Sequence, residues 1–99
     1  MLKKKRTKKT KAELKIVLDD EYADVDLLLA DGFEEAFMGV ATQFDNVFCV
    51  YDYDTCVDIL VKRDGMAKEE AIEFVEFNVT GAYVGKATPA FLKLHRPRP

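Results

Sequence analysis

The chain reads as one small α+β domain, with three helices packed on a sheet of three or four strands and basic flexible ends. Three observations lead there. Its 99 residues bury enough surface for one core and seldom enough for two. A composition that is 48% hydrophobic and 33% charged belongs to a globular protein rather than a disordered or fibrous one. Stretches of helical periodicity also alternate irregularly with short β-favouring runs, and no internal repeat is present.

Residues 1–11 form a Lys-rich arm with nothing apolar to bury, residues 12–94 the domain, and residues 95–99 a Pro/Arg tail. Leu14, Ile16 and Leu18 alternate with Lys15 and Val17, which predicts a short strand ending at Asp19-Asp20-Glu21. The apolar run from Val25 to Ala30 reads as a strand, with helix as the alternative, because periodicity does not separate the two over so few residues. Asp31 followed three residues later by Glu34 has the spacing of a capping box. The first helix is placed after it, with Phe33, Ala36, Phe37, Val40, Ala41 and Phe44 as its buried stripe and Asp45-Asn46 as its end. Val47 to Tyr51 is a continuous apolar run of strand length and is expected at the centre of the sheet.

A second helix begins near Tyr53, buries Tyr53, Cys56, Val57, Ile59, Leu60 and Val61, and stops at Asp64-Gly65. The third runs from about Lys68 to about Thr80, with Ala71, Ile72, Phe74, Val75 and Val79 inward and Glu69, Glu70, Glu73 and Glu76 outward. Pro89 to Leu94 reads as a last strand lying beside residues 47–51.

Charge is sorted by position. The formal net charge is −3, yet residues 1–11 hold seven Lys and Arg and no acid, a net +7. Residues 12–92 hold all 18 acids against five Lys and Arg, a net −13, and residues 93–99 add +3. The body is thus a polyanion, suited to steering a cationic partner toward it. No run approaches the roughly 20 apolar residues of a membrane span, and no apolar signal segment follows the basic start, so a cytoplasmic setting is expected.

From Asp31 onward the chain resembles a family of small proteins common in tailed-phage and prophage genomes. The likeness is carried by Val50-Tyr51-Asp52-Tyr53-Asp54, Ile59-Leu60, Arg63-Asp64-Gly65-Met66, Glu69-Glu70-Ala71, Glu76-Phe77-Asn78, Gly81-Ala82-Tyr83-Val84-Gly85 and Thr88-Pro89. It implies a phage-type origin and carries over no catalytic residue. Ala67 departs from the Ser or Thr expected as the cap of the third helix, which predicts a weaker helix start. Residues 1–26 lie outside the resemblance.

Asp52 and Asp54 fall where a buried strand passes into a helix, a place where many folds put function. The structural account makes Asp54 the N-cap and Asp52 a turn former. With Asp58 they would need further oxygens to hold a metal, and the EF-hand's Gly and terminal Glu are absent, so no metal is expected. Asn78 falls inside the stripe assigned to the core, and Arg63 within the apolar arc of its helix, within reach of Asp64, Asp52 or a terminal carbonyl. Phe77 lies on the side that holds Glu70 and Glu73, where it either packs under another element or marks a partner surface.

Catalytic constellations are sparse. Gly81 to Gly85 has neither dinucleotide-loop nor P-loop spacing, serine is absent, and the single histidine, His95, sits in the basic tail. Cys49 and Cys56, seven apart, match no redox or zinc spacing and read as buried free thiols. The sequence therefore favours a non-enzymatic acidic binding module, with no cofactor, engaging a protein with a basic surface. Asp52, Asp54, Glu70, Glu73, Phe77 and Tyr83 are its candidate contacts. Two alternatives stand beside it. Lys3, Lys4, Lys5, Arg6, Lys8, Lys9 and Lys11 have the character to bind phosphate backbones by counterion release. A metal-dependent hydrolase using Asp52 and Asp54 is the other.

Overall fold

The structure is a computed structural model that describes residues 14, 18, 20–22, 24, 25, 27–79 and 85–95. The expected basic arm and the loop from Gly81 to Val84 lie outside the described residues. Among these residues two continuous helices and a three-stranded sheet make an α+β domain, with strand β1 at Phe37–Gln43, β2 at Asn46–Asp52 and β3 at Ala90–Leu92. Helix α1 spans Tyr53–Asp64 and α2 spans Lys68–Phe74, both between β2 and β3. The strand order is β1-β2-β3, so β2 is central, as its unbroken apolar run requires.

β1 and β2 form an antiparallel hairpin closed by Phe44-Asp45, with Gln43 opposite Asn46 and Val40 opposite Cys49. β3 pairs with β2 in parallel, Tyr51 opposite Phe91, and a parallel neighbour needs a long crossover. The two helices supply it.

The core lies between the sheet and α1. Cys49 and Tyr51 alternate along β2 and are fully buried, and they meet Cys56 and Leu60 from the stripe of α1. Asp52 caps α1, its Oδ2 accepting from the Thr55 backbone N–H at 3.0 Å and from the Thr55 hydroxyl. At the other end Gly65 takes φ +71, and its N–H and that of Met66 both turn back to the Leu60 carbonyl. Burial holds both thiols protonated, Cys49 pushed up to about 11 and Cys56 to about 12.

Several expectations are corrected. The first helix, placed over Phe33 to Phe44, is a single 3-10 turn at Glu34–Ala36 followed by β1, so from Phe33 onward the described residues hold two α-helices where three were expected. Its apolar residues satisfy a helical wheel, but Gly39, Val40 and Thr42 weaken a helix there, and pairing with β2 decides between the two conformations. Glu34 does reach back, to the Gly32 N–H at 3.1 Å, and caps a turn rather than a helix. Phe44 leaves the buried stripe altogether, 94% exposed at the hairpin tip with φ +57.

Leu14 and Leu18, read as a strand, have helical backbone, and the Leu18 carbonyl accepts from the Tyr22 N–H at 2.7 Å. Both are buried, and their spacing of four also fits one helical face. Leu27, Leu29 and Ala30 pack against the core with Leu28 exposed, but the segment joins no strand, since β1 and β3 occupy the two sides of β2. Asp52, not Asp54, is the N-cap of α1.

Asn78 is exposed rather than buried. Beyond Phe74 the winding loosens into a π turn, Val75–Val79, and the extra residue per turn rotates Asn78 off the inward stripe. Phe74 is 37% exposed for its part, while Ala71 and Val75 are buried.

Two substitutions test this description by denaturant unfolding. A non-Gly residue in the left-handed region costs about 1–2 kcal/mol, and glycine returns part of that through its unfolded-state entropy. Phe44→Gly should therefore raise stability by about 0.5–1 kcal/mol. Ala67 precedes α2 without a side-chain cap, and Ala67→Ser should add about 1 kcal/mol.

Candidate functional site

The chain passes from α2 through the π turn and returns along β3, and these segments meet at one polar junction. The Tyr53 hydroxyl, on the first turn of α1, donates to Glu76 Oε2 at 2.6 Å. Lys93, the residue after β3, approaches the same oxygen to 3.5 Å and places its ammonium 4.5 Å from the centre of the Tyr53 ring. Three elements distant in sequence are thereby stapled together.

The electrostatics follow from the geometry. The Tyr53 hydroxyl, and then the charge of Lys93, hold the Glu76 carboxyl below its ordinary range. The same bond is the largest cause raising Tyr53 to about 12, with smaller contributions from burial and from the negative charges of Glu76 and Asp54.

Around the junction the surface combines acids with large apolar side chains. Phe77, next to Glu76, is 74% exposed, and Leu92 and Leu94, which flank Lys93, are also exposed. The contact between Lys93 and Glu76 draws their two segments alongside each other. Glu70, Glu73 and Phe77 follow at intervals of three and four along α2 and the π turn, and all three are exposed.

Phe77 thus presents itself to solvent rather than packing under another element. Asp54 is exposed in the first turn of α1, beside Tyr53. Asp54 acts on Tyr53 by its charge, while Glu70, Glu73 and Phe77 share the exposed side of the chain segment that leads to Glu76. Asp52 stands apart, its carboxylate turned to the cap of α1. Tyr83 and the seven cations from Lys3 to Lys11 lie outside the described residues.

Lys93 and Leu94 were not singled out from the sequence as site residues, and no local pattern marks them. Their place depends on β3 pairing beside β2. Arg63 serves structure: its Nε and Nη2 donate to Asp64 at 2.9 and 3.1 Å, and its Nη1 donates to the Gly32 carbonyl at 2.7 Å. The end of α1 is thereby tied to the turn before β1.

Among the described residues no three His, Cys, Asp or Glu side chains stand close enough to share a metal ion. No described helix is long and apolar enough to cross a membrane. No protein-family model matches the chain, and no curated protein or solved structure matches it either.

Removing the hydroxyl tests the staple. The Glu76 contribution to stability is present above the ordinary glutamate range and is lost as pH falls through its lowered value. The Tyr53 contribution persists below the ordinary tyrosine value of 10.0 and is lost only as pH rises toward about 12. Tyr53→Phe should therefore lower the melting temperature near neutral pH, and the gap from the parent should narrow as pH drops below about 4. A gap that stayed constant across that range would assign the effect to packing alone.

Proposed function

We propose that this chain is a non-enzymatic binding module whose face on α2 and the π turn docks on a basic protein surface. The observation that supports it is Phe77, 74% exposed on the segment that also presents Glu69, Glu70 and Glu73. Large aromatics that enter a partner's pocket supply much of the energy at protein interfaces. Surrounding charges set the rate of encounter and the choice of partner. An acidic rim around an aromatic anchor fits a pocket bordered by Lys and Arg.

The net −13 over residues 12–92 extends the same preference to the whole body. The resemblance of residues 31–89 to phage proteins supports a host-directed role. A host protein that handles nucleic acid or serves in defence has the required cationic surface, since it must itself attract phosphate. The chain would occupy that surface as a polyanion and inhibit or modulate its owner.

The test is affinity capture from nuclease-treated lysate of the natural host, at low and at high salt, with the parent, Phe77→Ala and the double variant Glu70→Lys/Glu73→Lys. A true partner should be recovered at low salt and lost at high salt. It should be reduced by Phe77→Ala and abolished by the charge reversal. Recovery indifferent to both variants would remove this face from consideration.

A further inference from the structure

We propose that the tip of the β1–β2 hairpin docks into a partner protein, Phe44 entering an apolar pocket whose rim carries Lys or Arg facing Asp45. Two independent observations meet at Phe44. Its side chain is 94% exposed, so it adds almost nothing to the core. Its φ of +57 makes it the only described non-glycine residue with left-handed backbone.

Each feature alone has an ordinary account. Single apolar residues at the surface are common, and a two-residue hairpin loop needs a left-handed position. That position is normally filled by Gly, Asn or Asp, and a side chain as large as Phe is unfavourable there. The loop therefore holds a residue type that suits its backbone poorly, and burial gives nothing back. Strained residues of this kind gather where a binding site uses them.

The hairpin also presents the ring in a fixed place. β1 and β2 stay in register from Gly39 opposite Val50 to Gln43 opposite Asn46, so the ladder closes directly beneath the tip. Thr42, Gln43, Phe44 and Asp45 are all exposed. An aromatic held on a closed ladder loses little freedom on entering a pocket.

Asp45 sets the chemistry of the rim. It forms no hydrogen bond or ion pair among the described residues, and no Lys or Arg occurs in the sequence between Lys15 and Lys62. A carboxylate beside the anchor selects a pocket bordered by cations. A guanidinium there serves both groups, pairing with the carboxylate and lying against the ring. A lipid surface fits less well, since one ring beside a carboxylate gains little from a bilayer and an anionic leaflet repels the charge. A second copy would bring another acidic body, net −13 over residues 12–92, against the same carboxylate.

The test begins with the full chain and Phe44→Gly on separate resins in nuclease-treated lysate of the natural host. A protein held by the parent and missed by the glycine variant is purified, and its affinity is measured by titration calorimetry. Phe44→Gly should weaken binding at least about tenfold. Its melting temperature should stay at or above the parent's, which separates lost binding from lost fold. Asp45→Asn should also weaken binding and flatten its salt dependence. A partner sensitive to Phe77→Ala but indifferent to Phe44→Gly would leave the face on α2 standing and overturn this proposal. So would the absence of any host protein that distinguishes Phe44→Gly from the parent. Binding to phosphatidylcholine vesicles that requires Phe44, or a dimer that Phe44→Gly dissolves, would overturn it by assigning the tip to a membrane or to a second copy.

Discussion

A tyrosine buried in a small sheet must find a partner for its hydroxyl, and the way Tyr51 meets that demand organises the domain. Its side chain is fully buried on the central strand, and its oxygen accepts from the Ala30 N–H at 2.8 Å. Its ring lies edge-on to Phe37 from β1 and stacks with Phe91 from β3, both at 5.7 Å. One side chain therefore touches both neighbouring strands and fixes a loop that has no strand partner of its own. An unsatisfied hydroxyl here would cost about 1–3 kcal/mol, so the path of residues 27–30 is a condition of burying Tyr51 at all. Burial also pushes its pKa up to about 12, which keeps the group neutral.

From that centre the remaining order follows. Asp52, one residue on, closes β2 and caps α1 with the same side chain, so strand and helix meet without a loop. α1 then returns its apolar stripe to the face of β2 that carries Cys49 and Tyr51. Gly65 ends α1 and Arg63 ties that end to Gly32, while Tyr53 ties its beginning to Glu76 and Lys93. A helix held at both ends is a rigid platform for the surface that α2 and the π turn present.

How legible this was depended on whether local sequence and long-range pairing agreed. The central strand, α1 with its glycine stop, and the start of α2 at an uncapped Ala67 could be read directly, because periodicity and end signals pointed the same way. The hairpin could not. Phe33 to Phe44 carries a helical stripe, a strand-compatible alternation and a glycine at once, and only the presence of β2 across a two-residue turn separates them. The site was half visible. Phe77 and its acidic neighbours stood out as an aromatic on a charged helical face, and Asn78 was misplaced by the π turn, which no residue pattern announces. The part played by Lys93 depends on where the last strand docks.

The acidity of the body is not something the fold requires. Among the described residues the core cluster holds no charged side chain, and the contacts of Arg63 and Lys93 that join elements lie on the exterior. Repulsion among like charges opposes compaction, and surface ion pairs return little of it. A domain selected for stability alone would dilute such a surface with Lys and Arg, yet none is found from Lys15 to Lys62 across the whole hairpin and most of α1. The segregation therefore has no source in the packing of the described core. The same fold leaves a large aromatic, Phe77, exposed on the segment that carries Glu69, Glu70 and Glu73.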